Sequence, residues 1–232
     1  MDPARFDRFA DEYQALHAQN IEITGESPDY FAEYKIRDIC RQITAIGRCE
    51  NLRILDFGSG VGSSTPFFEQ YFPSSHIVCV DVSARSLDLA RRRFEGVASH
   101  VLFAGESLPF KSGAFDVAFS ACVFHHIASA EHLTLLREIR RVLAKDSGRF
   151  FLYEHNPLNP LTLRAVNTCE FDSDAVLIPS WRMRRRFRDA GYSNISIRYR
   201  VFFPRYMRLL RFLEPKLWSL PLGAQYCITG KA

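Results

Sequence analysis

Apolar side chains recur at helical spacing near the start of the chain. Between residues 3 and 18 the members of this apolar face are Phe6, Phe9, Ala10, Tyr13 and Leu16. Their period predicts an amphipathic helix. A second helix is predicted over residues 29–46, after a loop that contains glycine and proline. Residues 1–48 are therefore expected to form an N-terminal helical cap.

Short apolar runs alternate with helix-forming segments between residues 49 and 155. Five of these runs predict strands, namely NLRILDF, HIVCVDVS, HVLFAG, AFDVAFSACV and RFFLYEH. Residues 63–71 and the sequences ARSLDLARRRF and SAEHLTLLREIRRVLAKDSG predict helices between the strands. Such an alternation is typical of a doubly wound, mostly parallel sheet.

The last part of the chain, residues 180–232, adds two strands to this pattern. A helix is predicted over residues 180–190, strands at NISIRYRVFF and AQYCITGKA, and a helix around residues 205–214 between those strands. The predicted fold is α/β, with a doubly wound sheet of seven strands that are mostly parallel and a last strand that is antiparallel. The whole chain is expected to form a single domain.

Residues 156–179 interrupt the alternation directly after the fifth strand. Asn156 and Asn159 each precede a proline, which forces them towards extended backbone. Insertions at strand ends are where lids and substrate loops are found. The segment is therefore predicted to be a lid-like insertion. The alternative is a plain turn whose side chains satisfy nearby backbone groups.

Composition restricts the class of protein. A chain of 232 residues with 47% hydrophobic side chains is long enough for one sizeable core. The N-terminus is charged from its second residue, unlike a secretory signal, and no apolar run reaches the length of a membrane span. Six scattered cysteines without a C-x-x-C pair indicate reduced thiols. The predicted location is cytoplasmic.

Charge is divided unevenly along the chain. Residues 180–232 carry 12 Lys and Arg against 2 Asp and Glu, a net charge of +10, whereas residues 1–179 carry 18 against 24, a net charge of −6. The basic part indicates an anionic substrate or partner, or equally a solvated, arginine-rich helix face. Residues 205–218 combine arginines with apolar side chains, which predicts peripheral membrane contact or packing beside the sheet. No recognised nucleic-acid-binding module accompanies them, so a nucleic-acid partner is not predicted.

Three glycines follow the first predicted strand. Gly58, Gly60 and Gly62 lie between that strand and a helix, where glycine permits tight turns and close approach of the backbone to a ligand. The loop lacks the Gly-Lys-Ser/Thr ending of a Walker loop, and its G-x-G-x-G spacing differs from the G-x-G-x-x-G of dinucleotide-binding proteins. The remaining nucleotide-type interpretation is binding of S-adenosylmethionine (SAM).

Several motifs in order resemble those of class I SAM-dependent methyltransferases. LDFGSGVG resembles their first motif and VCVDVS resembles their second. SLPFKSGAFDVAFSACVFHHI resembles a stretch of the small-molecule branch, which includes quinone-biosynthesis enzymes; LREIRRVLAKDSGRFFL and FRDAGYSNISI resemble the segments that follow. The resemblance implies a Rossmann-like fold, SAM as cofactor and S-adenosyl-L-homocysteine (SAH) as product. It assigns residues 49–155 to a SAM-binding core and residues 180–232 to the substrate side.

The resemblance also implies a set of cofactor-binding residues. The set is Tyr13, Asp56, Gly58, Ser59, Gly60, Gly62, Asp81, Val82, Gly105, Glu106, Ser107 and Ala121. By the family pattern, Asp56 supports the loop and the ammonium group of SAM, and Asp81 accepts hydrogen bonds from both ribose hydroxyls. The alternatives are a turn cap at Asp56 and a helix N-terminal acid at Asp81. At the position of Ala104, many relatives have an aspartate that binds the adenine. In this chain the adenine contact is therefore assigned to Gly105, with Glu106 or Ser107 nearby.

Four side chains after the fourth and fifth strands are candidates for the chemistry. They are His125, His126, Glu154 and His155. A general base is needed only where the attacking group carries a proton that must leave, and histidine has a suitable pKa for that role. Glu154 and His155 form a carboxylate–imidazole pair that is suited to acting as base and orienting partner. For either His125 or His126, helix capping or packing is an equal alternative.

The predicted function is transfer of a methyl group from SAM to a small-molecule acceptor by in-line displacement. The acceptor is expected to be anionic, glycan-linked or amphipathic, with oxygen favoured as the attacking atom. An RNA or protein methyltransferase and a SAM-binding protein without catalysis are the alternatives. Glu170, Asp172 and Asp174 alternate as in some metal sites, but also as in solvated loops, and no metal site is predicted.

Overall fold

One mixed sheet organises the molecule. The structure is a computed structural model that describes residues 3–10, 16, 18–19, 21–47, 50–103, 105 and 107–232. Its strands are β1 (Arg53–Phe57), β2 (His76–Asp81), β3 (Ser99–Leu102), β4 (Val117–Ala121), β5 (Arg149–His155), β6 (Ser193–Arg200) and β7 (Gln225–Lys231). They form a seven-stranded sheet in the order β3-β2-β1-β4-β5-β7-β6. β7 runs antiparallel to β5 and β6, and the other pairs are parallel, so the predicted fold class is confirmed.

Helices connect the strands. They are α1 (Pro3–Phe9), α2 (Pro28–Thr44), α3 (Thr65–Tyr71), α4 (Ala84–Arg93), α5 (His132–Val142), α6 (Pro160–Thr168), α7 (Ser180–Asp189) and α8 (Glu214–Leu217). Short 3₁₀ helices cover Glu22–Thr24 and Phe124–His126. The polar side chains that precede α2, α4 and α6 each accept a hydrogen bond from a backbone N–H of the first turn, which fixes where these helices begin.

The core consists of two apolar clusters, one on each face of the sheet. Successive side chains of a strand point to opposite faces, so Ile54 of β1 belongs to one cluster and Leu55 to the other. Ile39 of α2 packs in the first cluster and Ile139 of α5 packs in the second, and both are fully buried. Each such side chain contributes about 1.5–3 kcal/mol by its burial.

The connections leave a crevice at one edge of the sheet. The chain moves outward from β1 through β2 to β3 and then returns to place β4 on the other side of β1. Ligands of open α/β sheets bind at such a switch point, outside the carboxyl ends of the strands. The register pairs Phe57 with Val80 and Ala121 with Tyr153, so β1, β2, β4 and β5 all end at this edge.

The N-terminal cap is attached to the sheet at two places. Asp7 of α1 accepts hydrogen bonds from the Ser83 hydroxyl (2.6 Å) and from the Arg85 backbone N–H (3.2 Å). Asp38 of α2 forms a bidentate ion pair with Arg200 of β6 (2.9 and 3.0 Å) and accepts from the Tyr153 hydroxyl (2.7 Å). The helix predicted over residues 3–18 is described as α1 only, since most of residues 11–20 lie outside the described residues.

The helix predicted around residues 205–214 differs in type. Arg205–Leu213 is a 3₁₀ segment with a kink at Met207, and α8 follows it directly. Pro215 lacks the N–H that a continuous α-helix would donate to the carbonyl of residue 211, so the segment divides into two parts. Glu214 accepts hydrogen bonds from the backbone N–H groups of Phe202 and Phe203 (3.0 and 3.2 Å), which holds the division in place. No helix among the described residues has the length and apolar character needed to cross a membrane.

Candidate active site

A cavity of about 290 Å³ lies at the carboxyl edge of the sheet. The glycine loop and the ends of β2, β4 and β5 form its floor, and α1, α2, α6 and residues 201–206 enclose it. The predicted insertion, residues 156–179, supplies part of this wall through α6 and Phe171. The cavity therefore coincides with the switch point of the sheet.

The glycine loop has left-handed backbone at each of its three glycines. A Cβ atom on Gly58 would lie 2.3 Å from Val123 Cγ2, so no side chain fits there. Gly60 has no heavy atom within 4 Å of that position and lines the cavity. Gly62 packs against Ala90 and Phe94 next to α4 and does not line the cavity. Gly62 thus shapes the loop, whereas Gly58 and Gly60 border the ligand space.

Asp81, the last residue of β2, holds the glycine loop. Its Oδ2 atom accepts a hydrogen bond from the Gly60 N–H (2.8 Å), and its Oδ1 atom accepts from the Ser83 N–H (2.9 Å). Burial raises the pKa of Asp81, although these backbone N–H groups oppose the rise. Each carboxylate oxygen has two lone pairs, so Asp81 can accept further hydrogen bonds from a ligand in the cavity.

Two polar atoms beside the loop are buried without a partner. The Asp56 Oδ2 atom and the Ser59 hydroxyl have no hydrogen bond within the described part of the chain. Burial, with a smaller contribution from the charge of Asp81, raises the pKa of Asp56 to about 8. Leaving a buried polar group unpaired costs about 1–3 kcal/mol. Both residues line the cavity, so a ligand with a group that reaches these atoms would recover that free energy.

His125 is held by a buried carboxylate. Its Nδ1–H donates to Glu154 Oε2 (2.6 Å), and Glu154 Oε1 accepts from the backbone N–H groups of Val123 (3.2 Å) and Phe124 (2.8 Å). Burial would lower the pKa of His125, but the charges of Glu154 and Asp172 raise it well above its usual value. Glu154 does not line the cavity, so it orients His125 instead of contacting a ligand.

His126 lies beside two acidic residues of the insertion. Its Nδ1 atom is 3.0 Å from Asp174 Oδ1, and its Nε2 atom is 3.4 Å from Asp172 Oδ1. The same Asp172 oxygen is 3.7 Å from His125 Nε2. Asp172 is buried, unlike an acid of a solvated loop. Although burial alone would raise its pKa, the two imidazoles lower the pKa of Asp172.

His155, at the end of β5, also lines the cavity. Its ring centroid is 5.2 Å from that of His125. Burial, together with the nearby charge of His125, lowers the pKa of His155 to about 4. This imidazole is therefore neutral near pH 7 and can accept a hydrogen bond from a ligand.

The structure brings most of the predicted site residues to the cavity wall. Those that line it are Asp56, Gly58, Ser59, Gly60, Asp81, Val82, Ala121, His125, His126 and His155. Gly105 and Ser107 do not, and the Ser107 hydroxyl donates to Glu138 Oε1 (3.0 Å). Tyr13 and Glu106 lie outside the described residues. Asn156 turns away from the cavity, because its side-chain amide donates to the carbonyls of Pro221 and Gly223 (3.0 and 2.8 Å).

Lys35 and Cys122 are among the cavity residues that the sequence did not predict as site residues. Lys35 of α2 is buried, its Nζ atom is 3.4 Å from the Phe31 carbonyl, and burial lowers its pKa. Lys35 could have been recognised in the sequence as a lysine on the apolar face of the predicted second helix. Cys122 follows β4 with left-handed backbone (φ +57°), and burial raises the pKa of its thiol to about 11. Such a thiol is a weak nucleophile near pH 7.

The fold is that of solved SAM-dependent methyltransferases. The crystal structure of a SAM-dependent methyltransferase from Thermotoga maritima superposes with a TM-score of 0.66, over 99% of this chain and 98% of that chain, at 18% identity. A second, from Archaeoglobus fulgidus, has a TM-score of 0.68 over 89% and 95%, at 13% identity. These likenesses confirm the predicted fold.

Sequence comparison finds a family model that resembles the central part of the chain. Residues 55–152 match the methyltransferase domain family Methyltransf_11. The match covers less than half of the chain, and it confirms the predicted resemblance to methyltransferases. Malonyl-[acyl-carrier protein] O-methyltransferase of Geobacter sulfurreducens is 31% identical over 99 residues, which are 42% of this chain and 36% of that protein. The aligned part thus spans about a third of this curated relative.

The cavity fits SAM at its glycine-loop end. The unpartnered carboxylate oxygen of Asp56 suits the ammonium group of the amino-acid part. Asp81 retains lone pairs for hydroxyl groups, and the open space beside Gly60 allows the backbone to approach a ligand. The described residues at this end therefore supply complementary groups for the amino-acid and ribose parts of the cofactor.

Proposed function

We propose that the chain transfers a methyl group from SAM to a small-molecule acceptor, with oxygen as the attacking atom. The observation that carries this proposal is that one cavity contains both the SAM-compatible glycine loop and the His125–His126–Asp172 cluster. The rest of its wall is largely apolar, which favours an amphipathic acceptor. Enclosure of the cavity by α1 and α6 favours a small molecule over RNA or a folded protein.

Cofactor binding is assigned to the loop and to two acids. Asp56 would hold the ammonium group, and Asp81 would accept from the ribose hydroxyls. When bound, SAM supplies a methyl group on a sulfonium sulfur that an aligned attacking atom can displace. The chain contributes alignment and exclusion of water. Phe6 and Phe9 of α1 pack against Phe171, with ring centroids 5.8 Å apart in each pair, and these rings close the cavity on one side.

The acceptor side is assigned to the imidazoles. The Nε2 atoms of His125 and His126 are directed at Asp172, next to the space that the acceptor would occupy. Glu154 keeps His125 in place through Nδ1, so it acts as a positioning residue. Neutral His155 can accept a hydrogen bond from the acceptor. These groups provide a polar end in an otherwise apolar pocket, which orients a hydroxyl or carboxyl group towards the glycine loop.

A second surface extends the proposal to the origin of the acceptor. We propose that residues 205–218 rest on an anionic lipid surface, from which an amphipathic acceptor enters the cavity. Leu209 and Phe212 are 82% and 71% exposed, and Arg208 beside them is exposed as well. Tyr206 of the same segment lines the cavity, so the apolar surface is continuous with the cavity wall.

The cofactor assignment is tested by isothermal titration of SAH. Asp81→Asn should weaken SAH binding at least tenfold, because hydrogen bonds to a charged group contribute about 1.5–3 kcal/mol. Asp88→Asn is the matched control: Asp88 is an exposed acid on α4, paired with Arg91, and its loss should leave the affinity unchanged. An Asp81→Asn variant with the wild-type affinity for SAH would refute the ribose contact.

Methyl transfer is tested with radiolabelled SAM and a panel of amphipathic hydroxyl and carboxyl compounds. Label in an extracted small molecule supports the proposal. Label in RNA or protein alone supports the macromolecular alternative. SAH binding without label in any acceptor supports a SAM-binding protein that does not catalyse transfer.

A further inference from the structure

Two buried imidazole nitrogens face one carboxylate oxygen in the cavity wall. His125 Nε2 and His126 Nε2 are 3.7 and 3.4 Å from Asp172 Oδ1, and the three ligating atoms lie within 4.8 Å of one another. The side chains of His125 and His126 are only 1% and 3% exposed. Within the described part of the chain, neither Nε2 atom has a hydrogen-bond partner. Both nitrogens thus face Asp172 Oδ1 without forming a hydrogen bond to it, which leaves them available to a ligand that lies between the three atoms.

Outer carboxylates prepare both imidazoles for that ligand. His125 Nδ1 is 2.6 Å from Glu154 Oε2, and His126 Nδ1 is 3.0 Å from Asp174 Oδ1. A proton on Nδ1 that is donated to a carboxylate fixes the orientation of the ring, so a metal ion that displaces any proton on Nε2 would find this nitrogen directed at the site. Carboxylate–histidine pairs of this kind surround metal ions in proteins and increase the basicity of the ligating nitrogen.

The distances are close to those that a metal ion requires. Zinc bonds to histidine nitrogen and carboxylate oxygen are about 2.0–2.1 Å, so tetrahedral ligand atoms lie about 3.3 Å apart. The two distances to Asp172 Oδ1, 3.4 and 3.7 Å, need only a small contraction. The cluster also has an excess of negative charge, since Glu154, Asp172 and Asp174 surround the two imidazoles. A divalent cation would balance this charge.

We propose that His125 Nε2, His126 Nε2 and Asp172 Oδ1 bind a divalent first-row transition-metal ion, with zinc as the reference ion. Two imidazoles and one carboxylate form a ligand set that zinc and iron accept, and it leaves coordination positions open. All three residues line the cavity. This site departs from the sequence-based expectation that the chain has no metal centre.

The role of the ion rests on the proposed function. In that function the oxygen of the acceptor takes an open position on the ion. A bound cation lowers the pKa of such a hydroxyl and fixes its orientation. The imidazoles would then act as ligands, and the proton of the coordinated hydroxyl would pass to water. The oxygen would form its bond to the methyl carbon as the bond from that carbon to the sulfonium sulfur breaks. The ion would select acceptors with a hydroxyl or carboxyl group that can coordinate.

Cobalt(II) is the probe for this site, because its visible spectrum reports the ligands. Full-length protein is freed of metal with a chelator and titrated with cobalt chloride. We expect one ion per chain, with visible ligand-field bands and without the thiolate-to-cobalt charge-transfer band that cysteine ligands would give. Asp172→Asn and His126→Gln should each abolish these bands. The absence of one-to-one binding by the wild type would overturn the proposal.

Two further variants separate ligation from general damage. Asp174→Asn changes only an outer partner and should weaken cobalt binding about tenfold, in the range found for outer-shell partners. His76→Gln removes an exposed histidine away from the cluster and should bind cobalt as the wild type does. Cobalt binding that persists in both Asp172→Asn and His126→Gln would place the ion elsewhere and overturn the site.

Titration of the metal-free protein with SAH keeps this proposal apart from the cofactor assignment. SAH binding without cobalt binding overturns the metal site alone. Cobalt binding with the expected variant pattern, but without SAH binding, supports the metal site and overturns the cofactor assignment.

Discussion

Asp56 shows how a single residue links ligand binding to pH. Its carboxyl group is buried beside the glycine loop, and its pKa is raised to about 8 by burial and by Asp81. Near neutral pH the group is therefore mostly protonated in the free protein. In the proposed site the ammonium group of SAM or SAH would favour the ionised form, so binding would release a proton below about pH 8.

We predict that the affinity for SAH increases as the pH rises from about 6 to 8, by up to tenfold per pH unit, and then levels off. The sign follows from the raised pKa, because below it binding must first remove a proton from Asp56. Calorimetric titrations in buffers of different ionisation enthalpy measure both the affinity and the proton release. About one proton should be released at pH 7.

Asp56→Asn provides the comparison, since an amide does not titrate in this range. The variant should bind SAH more weakly at pH 8 and lose the pH dependence. Asp88→Asn, on the surface, should keep the pH dependence of the wild type. An unchanged pH slope in Asp56→Asn would show that another group takes part in the linkage.

At the scale of residues, the sequence predicted which residues form the site better than it predicted their roles. Glycine spacing and the strand-end acids predicted positions that the cavity brings together. The sequence could not predict which of Glu154 and Asp172 faces the cavity. The outcome depends on their contacts with His125, which lies 29 and 47 residues away from them along the chain. Glu154 directly precedes the cavity residue His155 in the sequence, but its own side chain does not line the cavity. Asp172 resembles a loop acid but is buried.

At the scale of elements, α2 depends on one buried ion pair. The side chains of Asp38 and Arg200 are 15% and 11% exposed, and their two hydrogen bonds connect α2 to β6. Tyr153 of β5 donates to the same carboxylate. The cavity residue Lys35 lies one turn before Asp38, so this contact also sets the position of the cavity wall.

We predict that Asp38→Ala lowers the free energy of unfolding by about 3–5 kcal/mol, because it leaves the Arg200 guanidinium buried and unpaired. Urea denaturation measures the change. Asp88→Ala removes an exposed ion pair with Arg91 and should cost no more than about 1 kcal/mol. A loss for Asp38→Ala as small as that of the control would show that Arg200 finds other partners.

Elements with a strong apolar period were predictable. The strands of the core and α2, α5 and α7 lie where the pattern indicated them, because burial against the sheet determines both the pattern and the structure. Residues 205–213 show the limit of this reasoning. Their apolar and basic positions fit a helix, but Pro215 and the backbone contacts of Glu214 determine which kind of helix forms.

At the scale of the whole molecule, residues 205–218 present an exposed face with large apolar side chains. On this face apolar side chains lie next to basic ones, and Tyr206 of the segment also lines the cavity. Basic side chains near an anionic bilayer contribute about 1 kcal/mol each, and apolar side chains add to this by insertion.

We predict that the protein sediments with vesicles that contain phosphatidylserine, and less with purely zwitterionic vesicles. Leu209→Glu and Phe212→Glu should each reduce the bound fraction, since both place a charge where the bilayer would lie. Val176→Glu is the control, because Val176 is 68% exposed outside this segment and should not matter. Equal sedimentation of all variants, or none with either vesicle, contradicts the proposed lipid contact.

Helix α1 contacts residues at both ends of the cavity. Asp7 contacts Ser83 beside the proposed ribose carboxylate, and Phe6 contacts His126, with ring centroids 5.6 Å apart, at the acceptor end. A ligand that orders α1 at one end thereby lowers the entropic cost of binding at the other. Thermodynamic linkage makes this cooperativity reciprocal, so cofactor and acceptor would raise each other's affinity by the same factor. A helix of seven residues would thus couple the binding of the two substrates.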